Sequence, residues 1–296
     1  MSSKLPLQRI GGGACGTVWA ASETGVAYKR EDGSSHRSLF HDFETHQHIL
    51  PANSTCNINI PLCHRFIAPT DAWWADNLDQ FPLGDEPCNM IEMQRIPPVA
   101  ESARKLLIQR YCPTSLVNEI LRSETNRDCL IRPYLGRRRI RPTSAPSRFK
   151  AFSLRNYPLH LNQMEEIGIP EEDILGYSRK MADTLAFLHW VATRGTWFNT
   201  LGTHEMWMLD FDLAQPMTMD EQGIQQAASA FWGNDPYFPR PDEHSSIWKA
   251  FREQYIKESD SWISVTDSPT GQLKDLPRRF IDLVEEKPRR SETNLP

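Results

Sequence analysis

The sequence has no run approaching the roughly 18 uninterrupted apolar residues that a membrane-crossing helix needs, so none of its 296 residues is expected to span a bilayer. Its opening, MSSKLPLQRIGGG, has no apolar stretch behind Lys4, which speaks against a secretory leader and for a soluble cytoplasmic protein. Six cysteines (Cys15, Cys56, Cys63, Cys88, Cys112 and Cys129) contain no C-x-x-C pair, so neither a disulfide framework nor a zinc site is expected. His46, His48, Cys63 and His64 come nearest to a ligand set, but their spacing fits no common structural zinc pattern, and ordinary packing is the expectation there. An excess of basic charge is missing too. Against 38 Asp and Glu stand 33 Lys and Arg, a net charge of −5, which excludes diffuse binding of DNA over the whole surface. Internal repeats and low-complexity linkers are likewise absent.

What is present reads as one domain with two lobes. Residues 1–100 form a small β-rich lobe, 101–285 a larger and mainly helical one, and 286–296 a frayed tail. In LQRIGGGACGTVWAASETGVAYKRED, β-branched and aromatic residues flank two glycine clusters, which predicts strand, turn, strand, turn, strand. A helix is expected from about Arg37 to Leu50, others at VNEILRSE and at EEDILGYSRKMADTLAFLHWVATR. In the last of these Ile174, Tyr177, Met181, Leu185 and Leu188 recur at intervals of three and four, and Pro170 with Glu171, Glu172 and Asp173 suits a helix start. EMWMLDFDLAQPM reads as a buried strand running into a loop. The chain from DEQGIQQAASAFW to LPRRFIDLVEE reads as helical, with NDPYFPRP as a proline-framed insertion.

The residues from Gly11 to Val18 satisfy G-x-G-x-x-G-x-V, a glycine turn whose backbone can approach phosphate without side-chain obstruction. VAYK then places Lys29 where a kinase-type third strand presents its lysine, with Glu44 in the following helix as the expected partner. Asp210 ends an apolar strand, where a kinase carries its metal-binding aspartate. Four elements in this order predict an α+β, protein-kinase-like two-lobe fold.

The catalytic loop is missing. A kinase needs His-Arg-Asp and, five residues on, Asn, whereas the interval here is HWVATRGTWFNTLGTHEMWMLD. It holds no Asp before Asp210, and only Asn199 could stand for the metal-binding asparagine. Asp212 replaces the glycine that follows Asp-Phe in kinases. Phosphoryl transfer depends on positioned charges, so a phosphotransferase would need an unconventional base, and a binding or regulatory protein without catalysis is an alternative reading.

The strings IGGGACGTVWA, YKREDG, RIPP, CLIRPYLGRR, FSLRNYPLHLNQME, LAFLHW, LDFD and FWGNDPYFPRP, spread over residues 10–283, resemble a fungal family described either as of unknown function or as zinc-finger proteins. Some of its members are arginine-containing cyclodipeptide synthases. The resemblance implies aminoacyl transfer: two aminoacyl-tRNAs, one of them arginyl-tRNA, joined into a cyclo-Arg-Xaa diketopiperazine. No ATP, other cofactor or metal is expected, because an aminoacyl-tRNA is already an activated ester. Under this reading Asp210 or Asp212 receives the proton or grips the amine, with Lys29 and Glu44 orienting the cleft. Glu44, Asp212 and Asp235 are candidates for a guanidinium, beside Asn234. Arg132, Arg137, Arg138, Arg139 and Arg141 are candidates for tRNA phosphates. NDPYFPRP also reads as a structural turn, and the arginines as a solvated basic loop. The family carries an acidic stretch resembling Asp-Val-Glu-Phe where this chain has ATRGTWFNTLGTHEM, with Glu205 as a partial substitute.

Overall fold

The computed structural model describes residues 5–13, 16–22, 24–31, 37–51, 58–139, 151–191, 197–199, 205–241, 245–265 and 271–286. Arg141, the tail from 287 and most of the 192–204 interval lie outside them. Five antiparallel strands open the chain: β1 (Gln8–Gly13), β2 (Gly16–Ala20), β3 (Val26–Arg30), β4 (Cys63–Ile67) and β5 (Met90–Gln94), in the order β1-β2-β3-β5-β4. Gly13 pairs with Gly16 across the first hairpin, and Val18 with Lys29 across the second pair. The glycine turn and the lysine are therefore neighbours on one sheet face.

Between β3 and β4 runs α1 (Leu39–Ile49). The Ser38 hydroxyl caps it by accepting the His41 amide at 3.1 Å. On the other face of the sheet, α2 (Trp73–Asn77) packs Trp74 against Phe81. There the Arg30 guanidinium lies 4.8 Å from the Phe81 ring centroid and pairs with Asp85.

The rest is mainly helical. It contains α3 (Glu101–Tyr111), α4 (Val117–Arg122), α5 (Leu161–Glu166), α6 (Glu171–Val191), α7 (Glu221–Gly233), α8 (Ser246–Val265) and α9 (Leu276–Glu286). Two short sheets interrupt it. One pairs β6 (Ile131–Tyr134) in parallel with β7 (Tyr157–His160), and the other pairs β8 (Trp197–Asn199) with β9 (Trp207–Leu209) antiparallel. The apolar positions expected of the central helix are buried in α6: Ile174, Tyr177, Met181, Leu185 and Leu188. Their core partner is a ring cluster. Phe251 stacks on Tyr255 at 6.4 Å, Tyr255 meets Phe280 at 4.9 Å, and Phe231 meets Phe251 at 6.1 Å. None of the described helices is long and apolar enough to cross a membrane.

A small antiparallel lobe followed by a helical part is the arrangement expected of a kinase-like chain. The expectation did not include α3 or the β6–β7 pair. Pro133 and Pro158 interrupt the usual strand pattern, and each sits where its missing N–H goes unnoticed in a two-stranded sheet.

Candidate functional site

Lys29 is buried at 6% exposure on β3, and its ammonium touches two carboxylates: Asp42 Oδ2 and Asp210 Oδ1, each at 2.6 Å. Asp210 follows β9 in a left-handed backbone conformation, φ 66°, which a short polar side chain tolerates better than a bulky one. This turn swings its carboxylate back toward the sheet. Asp42 uses its other oxygen, Oδ1, to accept the Phe211 amide at 2.7 Å. One aspartate thus ties strand β3, helix α1 and the segment after β9 together.

The expected partner, Glu44, is a correction. It is exposed on α1, while Leu39, Asp42, Thr45, His46 and Ile49 are the buried positions. Each helical residue turns about 100°, so Glu44, two places beyond Asp42, faces away from the sheet. The stripe through Leu39, His46 and Ile49 would have picked out Asp42.

A cleft of about 430 Å³ opens beside this network, within the roughly 300–1,000 Å³ of ordinary ligand sites. Ile10, Val18, Ala27, Met93, Leu130 and Leu209 make its apolar part; Lys29, Arg37, Arg132, Arg155, Asp210, Asp212 and Asp235 are among its charged lining. Burial alone would raise the Asp210 pKa, but Lys29, then Arg132 and Arg37, hold it below the ordinary carboxylate value. Asp212 has a fully buried side chain, pairs with Arg37 at 2.8 Å through Oδ2, and leaves Oδ1 without a partner among the described residues. Asp235 accepts the Tyr134 hydroxyl at 2.8 Å.

Asp210, Asp212 and Asp235 therefore converge with Lys29, as a shared cleft requires. The others diverge. Asn234 is not among the cleft residues: its amide donates to Ala230 O at the end of α7 and its carbonyl accepts from Arg240, which is a structural turn. Glu205 is exposed and does not line the cleft, because it precedes β9 at the end opposite Asp210.

The basic segment also divides. Arg132 sits on β6 and lines the cleft, a correction to its grouping with surface arginines: within a strand, alternate residues face opposite ways, and the run of arginines begins only after the strand ends. Arg137, Arg138 and Arg139 are exposed. Arg138 already makes a two-pronged bond to Glu165 at 2.6 and 2.7 Å. Arg139 reaches the Tyr157 hydroxyl at 3.3 Å.

Two contributors were not read from the sequence. The Asn156 amide donates to Gly12 O at 3.1 Å, joining the segment before β7 to the glycine turn. Arg155 is fixed by donating to Thr125 O at 3.0 Å. Buried Asn126 holds the same segment by accepting the Leu154 amide at 2.8 Å. The sequence signal was the string FSLRNY, with a polar pair inside an apolar frame. Of the histidine and cysteine residues considered as ligands, His46 is buried and bonds Pro61 O at 2.7 Å, and burial lowers its pKa. Burial raises the Cys63 thiol to about 11. Among the described residues no group of three or more His, Cys, Asp or Glu is placed to hold a metal ion.

Strand order, the glycine turn, the buried lysine and the strand-ending aspartate define a protein-kinase-like scaffold. A family model described as "Zinc finger protein" matches residues 206–267, from β9 through α8. Among solved structures, the chain is similar to the PknI kinase domain (C20A mutant) of Mycobacterium tuberculosis. That match has 10% identity over 96% of this chain and 98% of that one, with a TM-score of 0.33. No curated protein matches.

Proposed function

We propose that this chain uses a kinase-like cleft to bind a ligand without transferring phosphate to it. The observation that carries this is the missing catalytic base: Lys29 keeps the pairing with a helix acid and with Asp210 that a kinase-like cleft needs, at 2.6 Å each, but among the described residues no carboxylate stands ready for an attacking hydroxyl. The sequence from His189 to Asp210 supports the same reading, for it offers no aspartate to hold an attacking hydroxyl.

Within that class, we propose tRNA-dependent cyclodipeptide synthesis as the activity, on the strength of the resemblance from residues 10 to 283. The α-amine of one aminoacyl-tRNA attacks the ester carbonyl of a second, forming the amide and expelling the second tRNA, whose terminal ribose oxygen takes up the proton. The dipeptidyl ester then cyclises when its free amine attacks its own ester carbonyl and expels the remaining tRNA. Each step moves one proton from nitrogen to oxygen and consumes no nucleotide triphosphate. Asp210, kept ionised by Lys29, is suited to grip the substrate's ammonium group. Asp212 and Asp235 are suited to cationic groups of the substrates. Exposed Arg137 and Arg139 remain available for tRNA phosphates.

One observation favours a binding or regulatory protein without catalysis. Where the resembled family has an acidic stretch, this chain has ATRGTWFNTLGTHEM, with Glu205 as its one acid. Incubation with charged total tRNA, read by mass spectrometry, separates the two. A cyclo-arginine product that disappears in Asp210→Asn supports synthesis. Absence of product, while an authentic family member works alongside, leaves the binding role and rejects the enzyme.

A further inference from the structure

Residues 128–136 and 154–160, which carry the unexpected parallel pair β6–β7, form a strap along the cleft. Asp128, Cys129, Leu130, Arg132, Arg155 and Asn156 line the cleft from the strap, and Gly11–Gly13 with Gly16 line it from the small lobe. Most of the strap is firmly held. Asp128 pairs with Arg95, the Val99 amide donates to Cys129 O at 3.1 Å, and the Leu135 and Gly136 amides donate to Tyr237 O and Pro236 O at 3.0 Å each. Toward the glycine turn the hold is far weaker. Among the described residues, the one hydrogen bond between strap and turn runs from Asn156 Nδ2 to Gly12 O at 3.1 Å.

Two opposing costs act on that bond. Asn156 makes it from a left-handed backbone, φ 50°, a conformation that stores strain in any residue with a side chain, though less in Asn than in most. Like charges flank it as well. A Cβ built on Gly12 would come within 2.8 Å of the Arg9 guanidinium, so Arg9 lies over the residue that Asn156 grips. Arg155 precedes Asn156 in the chain, and burial together with the charge of Arg9 lowers its pKa. A single neutral hydrogen bond shifts an equilibrium only about two- to tenfold, so strap and turn are held together by a narrow margin.

We propose that the strap and the glycine turn are the two jaws of a gate over the cleft, latched by Asn156 on Gly12 and sprung by the like charges of Arg9 and Arg155. Release of Asn156 lets the β1–β2 hairpin move away from the strap and widens the way into the cleft. The gate rests on the reading of the cleft as a ligand site and not on aminoacyl transfer, and it serves a binding protein and an enzyme alike.

Cys129 reports the gate without any ligand. It lines the cleft at 1% exposure, and burial raises its thiol to about 11, so an alkylating reagent reaches it as thiolate only when the cleft opens. Labelling with iodoacetamide, followed cysteine by cysteine through peptide mass spectrometry, reads the rate. Asn156→Gly, which removes the donor but keeps the left-handed backbone free of strain, should speed labelling of Cys129 about fivefold. Arg9→Gln should act in the opposite direction and slow it about twofold, while Arg9→Lys, which keeps the charge, should match the wild type. Salt at about 1 M, where screening shortens to about 3 Å, should slow the wild type but not Arg9→Gln. Cys112, buried but not among the cleft residues, is the control and should label at one rate throughout. Far-UV circular dichroism checks folding, and if Asn156→Gly fails to fold, the exposed change Arg9→Gln decides alone. Equal Cys129 rates in Asn156→Gly and the wild type, acceleration of Cys112 in step with Cys129, or an Arg9→Gln protein that labels no more slowly than the wild type overturns the proposal. Because no tRNA or other ligand is present, a failed synthesis assay leaves this result standing, and the reverse also holds.

Discussion

Two largely buried regions of this protein are built from opposite materials. Under α6 and α8, Phe231, Phe251, Tyr255 and Phe280 pack ring on ring. Even the polar groups there serve packing: the Tyr255 hydroxyl meets His189 Nδ1 at 2.8 Å, and burial drives its pKa upward. Between β3, α1 and β9, the contacts are instead Lys29, Asp42, Asp210, Arg37 and Asp212. Ring packing gains free energy from area removed from water. A buried ion network gains little net stability, because desolvation offsets attraction. The difference teaches that the aromatic region is there to fold the chain, while the charged seam is retained for what the cleft does.

Removing a member of the ring cluster should have the largest effect. Phe251 is fully buried, and Phe251→Ala should lower stability by about 4 kcal/mol through the cavity it leaves, measured by urea denaturation. Ligand affinity of the remaining folded protein should not change.

Lys29→Met strikes the seam and should cost about 3 kcal/mol, since it leaves the buried Asp42 and the partly buried Asp210 without their shared cation. Its pH profile separates it from a packing defect. In the wild type, the Asp210 pKa is depressed in the folded state. Its contribution is therefore present above the unfolded value of 3.8 and lost as pH falls through the lower folded value. In the variant, burial acts unopposed by Lys29, so stability should rise on acidification from neutral pH. An unfolding midpoint flat between pH 7 and 4 would place Lys29 among ordinary packing residues.

Gly136→Ala should follow, at about 2 kcal/mol by thermal unfolding. A Cβ there would press into the Phe238 carbonyl, and overpacking against backbone is not easily relieved. Because Gly136 and Leu135 donate to Pro236 O and Tyr237 O, the same change should loosen Asp235 and weaken binding as well. Asn156→Ala removes one bond to the glycine turn, so its stability loss should be about 1 kcal/mol. Arg138→Ala breaks an exposed pair with Glu165 and should shift stability by less than about 1 kcal/mol, with no effect at the cleft.

The small lobe was legible because its signals are local. Glycines spaced through Gly11–Gly16, the VAYK strand and the MLDFD strand end each announce backbone geometry within a few residues. The central helix was equally plain from its apolar spacing. Glu44 was misassigned because residue type outweighed helical phase, and phase alone pointed to Asp42. Arg132 was grouped with its sequence neighbours Arg137 and Arg138, whereas strand β6 turns it into the cleft and the following turn carries the others outward. Arg155 and Asn156 were invisible because they reach the glycine turn across more than 140 positions of sequence, and nothing local encodes a contact of that range.

Carbon-13 NMR titration of the Asp210 carboxyl, in the wild type and in Lys29→Met, tests the seam most directly. The account predicts a midpoint below 3.8 in the wild type and a clear upward move in the variant. The same midpoint in both proteins would mean that Lys29 and Asp210 do not hold one another, and would contradict it.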